Sequence, residues 1–258
     1  HELGVAVVMA QPVFESKVPI RFLPEEEAYR EADFVITIGG DGTLLKAGLD
    51  CVHYGKPVLG VNLGRTGFLA TCEVEEMPEK LRLLAEGRYT LDPRGLLLAR
   101  SANGWQAEAI NDVVLFGRTR MHPMDYKVYC DGCFVSSYRS DGLILATATG
   151  STAYSMSAGG PILEPSMEAI IMTPVCPHSL VARPIVFSKD AVIEVTTHNM
   201  ADKDTYLTID GFETLKLREG DTVAVRRSRS VTRLVKLKNM NFYKILNQKL
   251  ATDGEGFI

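Results

Sequence analysis

The chain has 258 residues, 46% of them hydrophobic and 23% charged, with a formal net charge of −4. That length builds one large domain or two smaller ones, each with a real core, and the mildly acidic balance gives no global attraction to nucleic acid or to an anionic membrane. Apolar runs such as Val5 to Ala10 and Leu143 to Ala148 are too short to span a bilayer, and His1-Glu2 does not open a signal peptide. The five cysteines, Cys51, Cys72, Cys130, Cys133 and Cys176, are odd in number and scattered, which points to a reducing, cytoplasmic setting.

In chain order, Gly4 to Met9 reads as a strand with an irregular segment after it, an opening that suggests an earlier strand and helix are missing. Pro24 to Ala32 reads as a helix with acids in its first turn. Phe34 to Ile38 is apolar and rich in β-branched residues, the pattern of a strand covered on both faces. It runs straight into Gly39-Gly40-Asp41-Gly42-Thr43-Leu44-Leu45. Gly39, Gly40 and Gly42 have no Cβ, so left-handed dihedrals and close approach of backbone N–H groups to a phosphate are open to them. Thr43 is placed to cap the helix that follows through Leu49. A loop built only to cradle phosphate gains nothing from a carboxylate that repels its ligand, so Asp41 points to chemistry, with a plain surface turn as the alternative. The dinucleotide fingerprint fails at Leu45, and no Gly-x4-Gly-Lys-Ser/Thr run exists.

A strand from Pro57 to Val61, a loop from Asn62 to Phe68 and a helix from Val74 to Glu86 continue the alternation of a parallel sheet flanked by helices. From about Leu91 the pattern changes to short strands at Gly95 to Arg100, Gln106 to Phe116, Tyr126 to Ser136, Gly142 to Thr147, Ala191 to Val195, Tyr206 to Ile209 and Thr222 to Val225. These predict an all-β second domain. One helix interrupts it at Thr152 to Gly159, and Asn241 to Leu250 closes the chain as an amphipathic helix. The division is residues 1–90 with about 239–258, and residues 91–238.

Asn111-Asp112 interrupts an apolar strand with two polar side chains that need partners; together an amide and a carboxylate can take ribose hydroxyls and a ring amine, while a turn or bulge is the alternative. Arg139-Ser140-Asp141-Gly142 leads into Thr149-Gly150-Ser151-Thr152-Ala153-Tyr154-Ser155-Met156-Ser157, an apolar strand delivered into a hydroxyl-rich turn that opens a helix. Such a turn suits phosphate or ribose oxygens, with Tyr154 offering a stacking face; a plain Ser/Thr helix cap is the alternative. Thr208-Ile209-Asp210-Gly211 alone is a turn. Cys130-Asp131-Gly132-Cys133 has C-x2-C spacing, but Asp-Gly between strands reads better as a hairpin turn than as half a zinc site. His53, His122, His178 and His198 show no ligand spacing. Arg226, Arg227, Arg229, Arg233, Lys236 and Lys238 form a basic run that reads as solvated strand faces, with phosphate contact as the alternative.

These residues, together with Gly64-Arg-Thr-Gly-Phe-Leu69, Ala158-Gly-Gly-Pro-Ile162 and Cys176-Pro-His-Ser-Leu180, resemble the bacterial type of NAD kinase over roughly residues 34 to 246. The Gly-Gly-Asp-Gly-Thr motif is shared with lipid kinases and phosphofructokinases, whereas the Thr-Gly-Ser-Thr-Ala-Tyr block after Asp-Gly-Leu is not. The resemblance implies a Rossmann-like N-terminal α/β domain with a parallel sheet, a β-sandwich-like NAD-binding C-terminal domain, and a last helix returning to the first domain. It implies transfer of the terminal phosphoryl group of ATP to the 2′-hydroxyl of the adenosine ribose of NAD, with magnesium. Asp41 would orient and deprotonate that hydroxyl, and Gly39, Gly40 and Thr43 would meet phosphate. Gly42 and Phe68 would line the pocket, Asn111, Asp112 and Asp210 would hold the dinucleotide, and Thr149, Thr152, Ala153, Tyr154 and Ser157 would surround it. No residue is assigned to the metal. Arg139, Asp141 and the Cys176 neighbourhood would approach an adjoining subunit, which implies a homodimer or homotetramer. Ala148 stands where the family usually has proline, and Phe212 where glutamine is frequent. A non-catalytic dinucleotide sensor and a lipid kinase are the competing readings; the lipid kinase requires a membrane-facing amphipathic surface, which the sequence does not display.

Overall fold

The computed structural model describes residues 3–10, 20–64, 67–70, 72–117, 123–198, 205–237 and 241–254, the last four of these by backbone alone. Arg65 and Thr66 of the glycine-rich loop, His122 and Lys238 lie outside the described residues. The chain forms two compact units, His1–Pro93 with Thr232–Ile258, and Arg94–Val231.

The first unit opens with two short parallel strands, β1 (Val8–Met9) and β2 (Arg21–Phe22). Helix α1 (Glu25–Glu31) carries three acids in its first turn, where the helix dipole favours them. Strand β3 (Val35–Gly39), helix α2 (Asp41–Tyr54) and strand β4 (Val58–Asn62) make a βαβ unit with β3 and β4 parallel and in register from Val35/Val58 to Gly39/Asn62. Gly55 ends α2 with a left-handed φ of 66°, the conformation that glycine adopts without steric cost. Strand β4 is buried at every position. Strand β3 is not, contrary to the expectation from its composition: Ile36 and Ile38 are exposed at 38% and 53%. Among the described residues β3 pairs only with β4, and α2 covers just one of its faces. Strand β5 (Cys72–Glu73) extends the parallel set beside β4. A 3₁₀ turn, Val74–Glu76, and helix α3 (Met77–Ala85) follow. Leu59, Val61, Cys72, Leu84 and Val235 form this unit's core.

Strand β6 (Thr90–Ser101) leads into the second unit and pairs antiparallel with β7 (Gln106–Ala109). The single strand expected from Gln106 to Phe116 is in fact two, because the chain leaves one sheet at Ile110-Asn111 and enters another as β8 (Asp112–Gly117). Strands β9 (Met124–Cys130) and β10 (Cys133–Ser140) form the hairpin that Asp131-Gly132 predicted. A second crossing at Asp141 gives β11 (Gly142–Thr147), followed by a 3₁₀ turn, Gly150–Thr152, and by α4 (Tyr154–Ser157). Helix α4 has four residues, far shorter than the helix expected from Thr152 to Gly159. Strands β12 (Ala169–Val175), β13 (Ile185–Ser188), β14 (Ile193–His198), β15 (Thr205–Ile209), β16 (Glu213–Leu217) and β17 (Thr222–Lys236) complete the unit.

One layer of the second unit is a six-stranded antiparallel sheet ordered β13-β12-β11-β8-β15-β16. The other contains β10, β9, β14 and the first half of β17, again antiparallel. Alternate residues face inward, as strand geometry requires: Val113, Leu115, Leu143, Leu145, Leu207 and Ile209 from the first layer meet Tyr126, Val128, Ile193, Val195, Val223 and Val225 from the second. The outer face of the six-stranded sheet carries its own cluster, Val114, Ile144, Ala146 and Ile171. The end of β17 belongs to the first unit, where Leu234 pairs with Val58 of β4 and Thr232 donates to the Gly48 carbonyl. Helix α5 (Phe242–Gly254) returns to that unit.

Candidate active site

The Gly-Gly-Asp-Gly turn joins β3 to α2. Its glycines are there for space rather than for left-handed dihedrals, since none of Gly39, Gly40 and Gly42 has a positive φ. A Cβ on Gly39 would lie 2.4 Å from Thr43 Oγ1, whereas one on Gly40 or Gly42 would meet nothing within 4 Å. Gly40 and Gly42 therefore leave a bare face that a large anion can approach. Gly40, in extended conformation, is the N-cap; Asp41 opens the helix and Thr43 sits in its first turn, so Thr43 is not the cap.

The Asp41 carboxylate is the acceptor for three consecutive backbone N–H groups. Oδ2 accepts from Phe68 at 2.8 Å, and Oδ1 accepts from Leu69 at 3.1 Å and Ala70 at 2.9 Å. Gly67 precedes them because any side chain there would collide with Asp41: a Cβ would fall 1.9 Å from Oδ1. A carboxylate offers about four lone-pair positions. Among the described residues three are filled, which leaves the fourth, on Oδ2, to a hydroxyl. The Phe68 ring lies under Lys249 Nζ of α5, 5.2 Å from its centroid, which brings a cation to the loop that holds Asp41.

The second unit contains a cavity of about 860 Å³, within the range of small-molecule sites. It opens on the outer face of the six-stranded sheet, lined by Asp112, Val114 and Phe116, alternate positions of β8, with Thr208 of β15 and Val175 of β12. Both sheet crossings contribute: Asn111 and Asp112 at one, Asp141 and Gly142 at the other. Ala153, Tyr154, Cys176, Asp210, Gly211 and Gly117 complete the lining. Cys176 and Asp210 have φ values of 45° and 48°. Such a backbone is uncommon outside glycine and collects at functional sites.

Asp210 does at this cavity what Asp41 does in the other unit. Its carboxylate accepts from the backbone N–H groups of Ile110 at 2.7 Å, Asn111 at 2.8 Å and Asp112 at 2.9 Å. These bonds pin the first crossing, and Thr147 reinforces it by donating from Oγ1 to the Ile110 carbonyl at 2.6 Å. Gly150 must be glycine there, because a Cβ would lie 2.1 Å from the Asn111 carbonyl oxygen. Asp112, 6% exposed, has its carboxyl pushed up to about 7 by burial and then by the negative charge of Asp210. Burial also raises Asp210, offset by its three backbone amides.

Of the residues singled out from the sequence, the cavity gathers Asn111, Asp112, Asp141, Ala153, Tyr154, Cys176 and Asp210. Four others in the same unit stand elsewhere. Arg139 is exposed, 3.9 Å from Asp125. Thr149 is buried and its Oγ1 accepts from Arg94. Thr152 donates to the Thr149 carbonyl, and Ser157 is exposed at the end of α4. The Thr149–Thr152 turn offers no free row of N–H donors: Gly150 donates to Thr147, Ser151 to Ala148 and Ala153 to Gly150. Gly39, Gly40, Gly42, Thr43 and Phe68 belong to the first unit with Asp41. The basic run is partly paired, Arg227 with Glu168 at 3.0 Å and Lys236 with Asp92 at 2.9 Å. Val114, Phe116, Gly117 and Val175 were not foreseen as lining, and Thr208 was read only as part of a turn; the period of two that starts at Asp112 is the signal that marks Val114 and Phe116.

The model of the ATP-NAD kinase N-terminal domain matches residues 18–89, and that of the ATP-NAD kinase C-terminal domain matches residues 110–237. The NAD kinase of Caldanaerobacter subterraneus subsp. tengcongensis is 40% identical over 231 residues, covering 87% of this chain and 81% of that protein. The NAD kinase of Moorella thermoacetica is 38% identical over 239 residues, with coverage of 92% and 76%. Among solved structures, yeast NADH kinase complexed with NADH superposes with a TM-score of 0.82 at 30% identity, over 93% of this chain and 71% of that one. An NAD kinase from Archaeoglobus fulgidus in complex with ATP gives 0.74 at 27% identity, over 90% and 89%.

Proposed function

The chain belongs to the NAD kinase family, and from that premise we propose how its residues divide the work of moving a phosphoryl group from ATP to NAD. The enzyme is a phosphotransferase, and neither the sensor nor the lipid-kinase reading is favoured. The cavity of the second unit takes the dinucleotide: Asn111 and Asp112 meet adenosine ribose and ring polar groups, and Tyr154, 47% exposed at the rim, supplies a stacking face. The bare face of Gly40 and Gly42 receives phosphate at the start of α2, a 14-residue helix whose first N–H groups favour an anion.

Asp41 is assigned the accepting 2′-hydroxyl. The observation that carries this reading is the backbone clamp on its carboxylate, which fixes the direction of Oδ2 and, among the described residues, leaves it one lone pair. A hydroxyl donating to that lone pair is aligned for attack on the terminal phosphorus, and its proton passes to Oδ2 as the new O–P bond forms and the bond to the departing ADP oxygen breaks. Help of this kind contributes typically about 10²–10⁴ in rate, and placement and charge shielding supply the rest. A magnesium ion would be held mainly by ATP phosphates and water, the usual arrangement for this cation, and would neutralise charge on the transferring group.

We place the enzyme in the cytoplasm as a homodimer or homotetramer. The five free cysteines support the first, and the second is supported by exposed Leu180 and Val181, 94% and 84% accessible, just after Cys176. No described helix is long and apolar enough to cross a membrane. The test is NADP formation from NAD, ATP and magnesium, read through an NADP-specific dehydrogenase, on wild type and Asn111→Ala. Turnover in wild type, with KM for NAD raised at least about tenfold in the variant by loss of a buried polar contact and KM for ATP unchanged, is expected. No NADP, or an unchanged KM for NAD, overturns the assignment.

A further inference from the structure

Phosphoryl transfer makes no use of Cys130-Asp131-Gly132-Cys133. In the fold this motif is the tip of the β9–β10 hairpin. Asp131 and Gly132 take the two left-handed positions, φ 50° and 77°, that such a tight connection needs. Cys130 and Cys133 are then directly facing partners across the ladder. Facing residues of an antiparallel pair have Cα and Cβ separations of roughly 4.5–5.5 Å on the same face. A disulfide requires Cα atoms about 4.4–6.8 Å apart and Cβ atoms about 3.5–4.5 Å apart, so closure asks for an approach of about 1 Å at the hairpin tip, where the Asp131 N–H donates to the Val192 carbonyl and Asp131 Oδ1 accepts from the Val192 N–H, each at 3.0 Å. Cys133 is exposed and Cys130 half-buried at the edge of the sandwich core. Cys51 and Cys72 are buried in the other unit, and Cys176 lines the cavity. None of the cavity-lining residues belongs to this tip.

We propose that Cys130 and Cys133 are an oxidisable dithiol that forms a reversible intramolecular disulfide on exposure to peroxides. The accessible Cys133 thiolate attacks a peroxide oxygen, the O–O bond breaks, and hydroxide departs to leave a sulfenic acid on Cys133. Cys130 sulfur then attacks that sulfur; the S–S bond forms, the S–O bond breaks, and water leaves with the Cys130 proton. Each sulfur gives up one electron and the peroxide takes two. The order follows from exposure, and burial followed by hydrogen bonding to Asp131 raises the Cys130 thiol, which keeps it protonated until the second step. A bond that pulls two strand residues together at an exposed tip is strained and therefore easily reduced again.

The experiment treats reduced protein with hydrogen peroxide, blocks remaining thiols with iodoacetamide and reads peptides by mass spectrometry. The expected result is a Cys130–Cys133 peptide about 2 Da lighter that takes no alkyl group, with both thiols restored by dithiothreitol. In Cys130→Ser the sulfenic acid is trapped on Cys133 and tagged by dimedone; in Cys133→Ser, a substitution at an exposed position, Cys130 takes no tag. Two alkylated cysteines with no mass loss overturn the proposal, as does a first tag on Cys130 or a disulfide running to Cys176 or to a second chain.

Discussion

Asp41→Asn separates the chemistry of the central turn from its architecture. The amide keeps the shape of the carboxylate but replaces one acceptor by an NH₂ group. Its best orientation sets the remaining oxygen at the Oδ1 position, where it still serves Leu69 and Ala70, and turns the NH₂ toward the Phe68 N–H, 2.8 Å away in the wild type. Two donors then face each other. One unsatisfied N–H costs about 1–3 kcal/mol, which at about 2–4 °C per kcal/mol for a chain near this size lowers the melting temperature by roughly 2–12 °C. The lone pair reserved for the substrate hydroxyl is lost as well, so turnover should fall by about 10²–10⁴. Melting is followed by calorimetry, and turnover by NADP formation; NAD should still raise the melting temperature of the variant by native-state binding. Gly67→Ala is the companion, because it keeps the acid and disturbs the clamp from the other side. Asp41→Asn with turnover within about fivefold of wild type would refute the general-base assignment, and a variant that loses turnover without any fall in melting temperature would refute the energetic account of the clamp.

Three further outcomes are expected. Asp210→Ala releases the N–H groups of Ile110, Asn111 and Asp112, and it should raise KM for NAD by about tenfold or more at little change in KM for ATP, with a fall in melting temperature; equal effects on both substrates would contradict it. Asp112 holds its proton up to about pH 7 in the folded state, whereas the unfolded chain releases it near about 3.9. Its contribution to stability therefore falls as pH rises through that window, by at most about 4 kcal/mol, and stays constant above it. Asp112→Asn lacks the effect, so the melting temperature of wild type minus that of the variant should decrease from about pH 5 to about pH 8, and a rise would reverse the sign of the argument. Gly40→Ala should melt within about 2 °C of wild type, since its Cβ meets nothing, yet lose affinity for ATP, whereas Gly39→Ala should cost about 1–3 kcal/mol through collision with Thr43.

What the sequence determined by itself is what local chemistry encodes. The alternation of strand and helix through β4, the hairpin at Asp131-Gly132, the acids that begin α1 and the glycine-framed Asp41 all follow from residue type at short range, and the chain folds accordingly. Strand β12 escaped because Pro174 argues against a central strand, yet it sits next to the end, where one missing N–H is tolerated. Strand β16, Glu213–Leu217, mixes charged, polar and apolar residues over five positions at a sheet edge and carries only a weak signal. For Gln106 to Phe116, local reading offered a turn or bulge at Asn111-Asp112 as an alternative but not the change of sheet, since the break is held by Asp210, about a hundred residues away, capturing three N–H groups. The same holds for Asp41. Its place in a glycine turn marks it as chemical, but only the tertiary structure decides that Phe68, Leu69 and Ala70 turn their amides toward it. Periodicity and turn propensity act over a few residues, whereas a carboxylate satisfies its lone pairs with whatever donors the fold brings within about 3 Å.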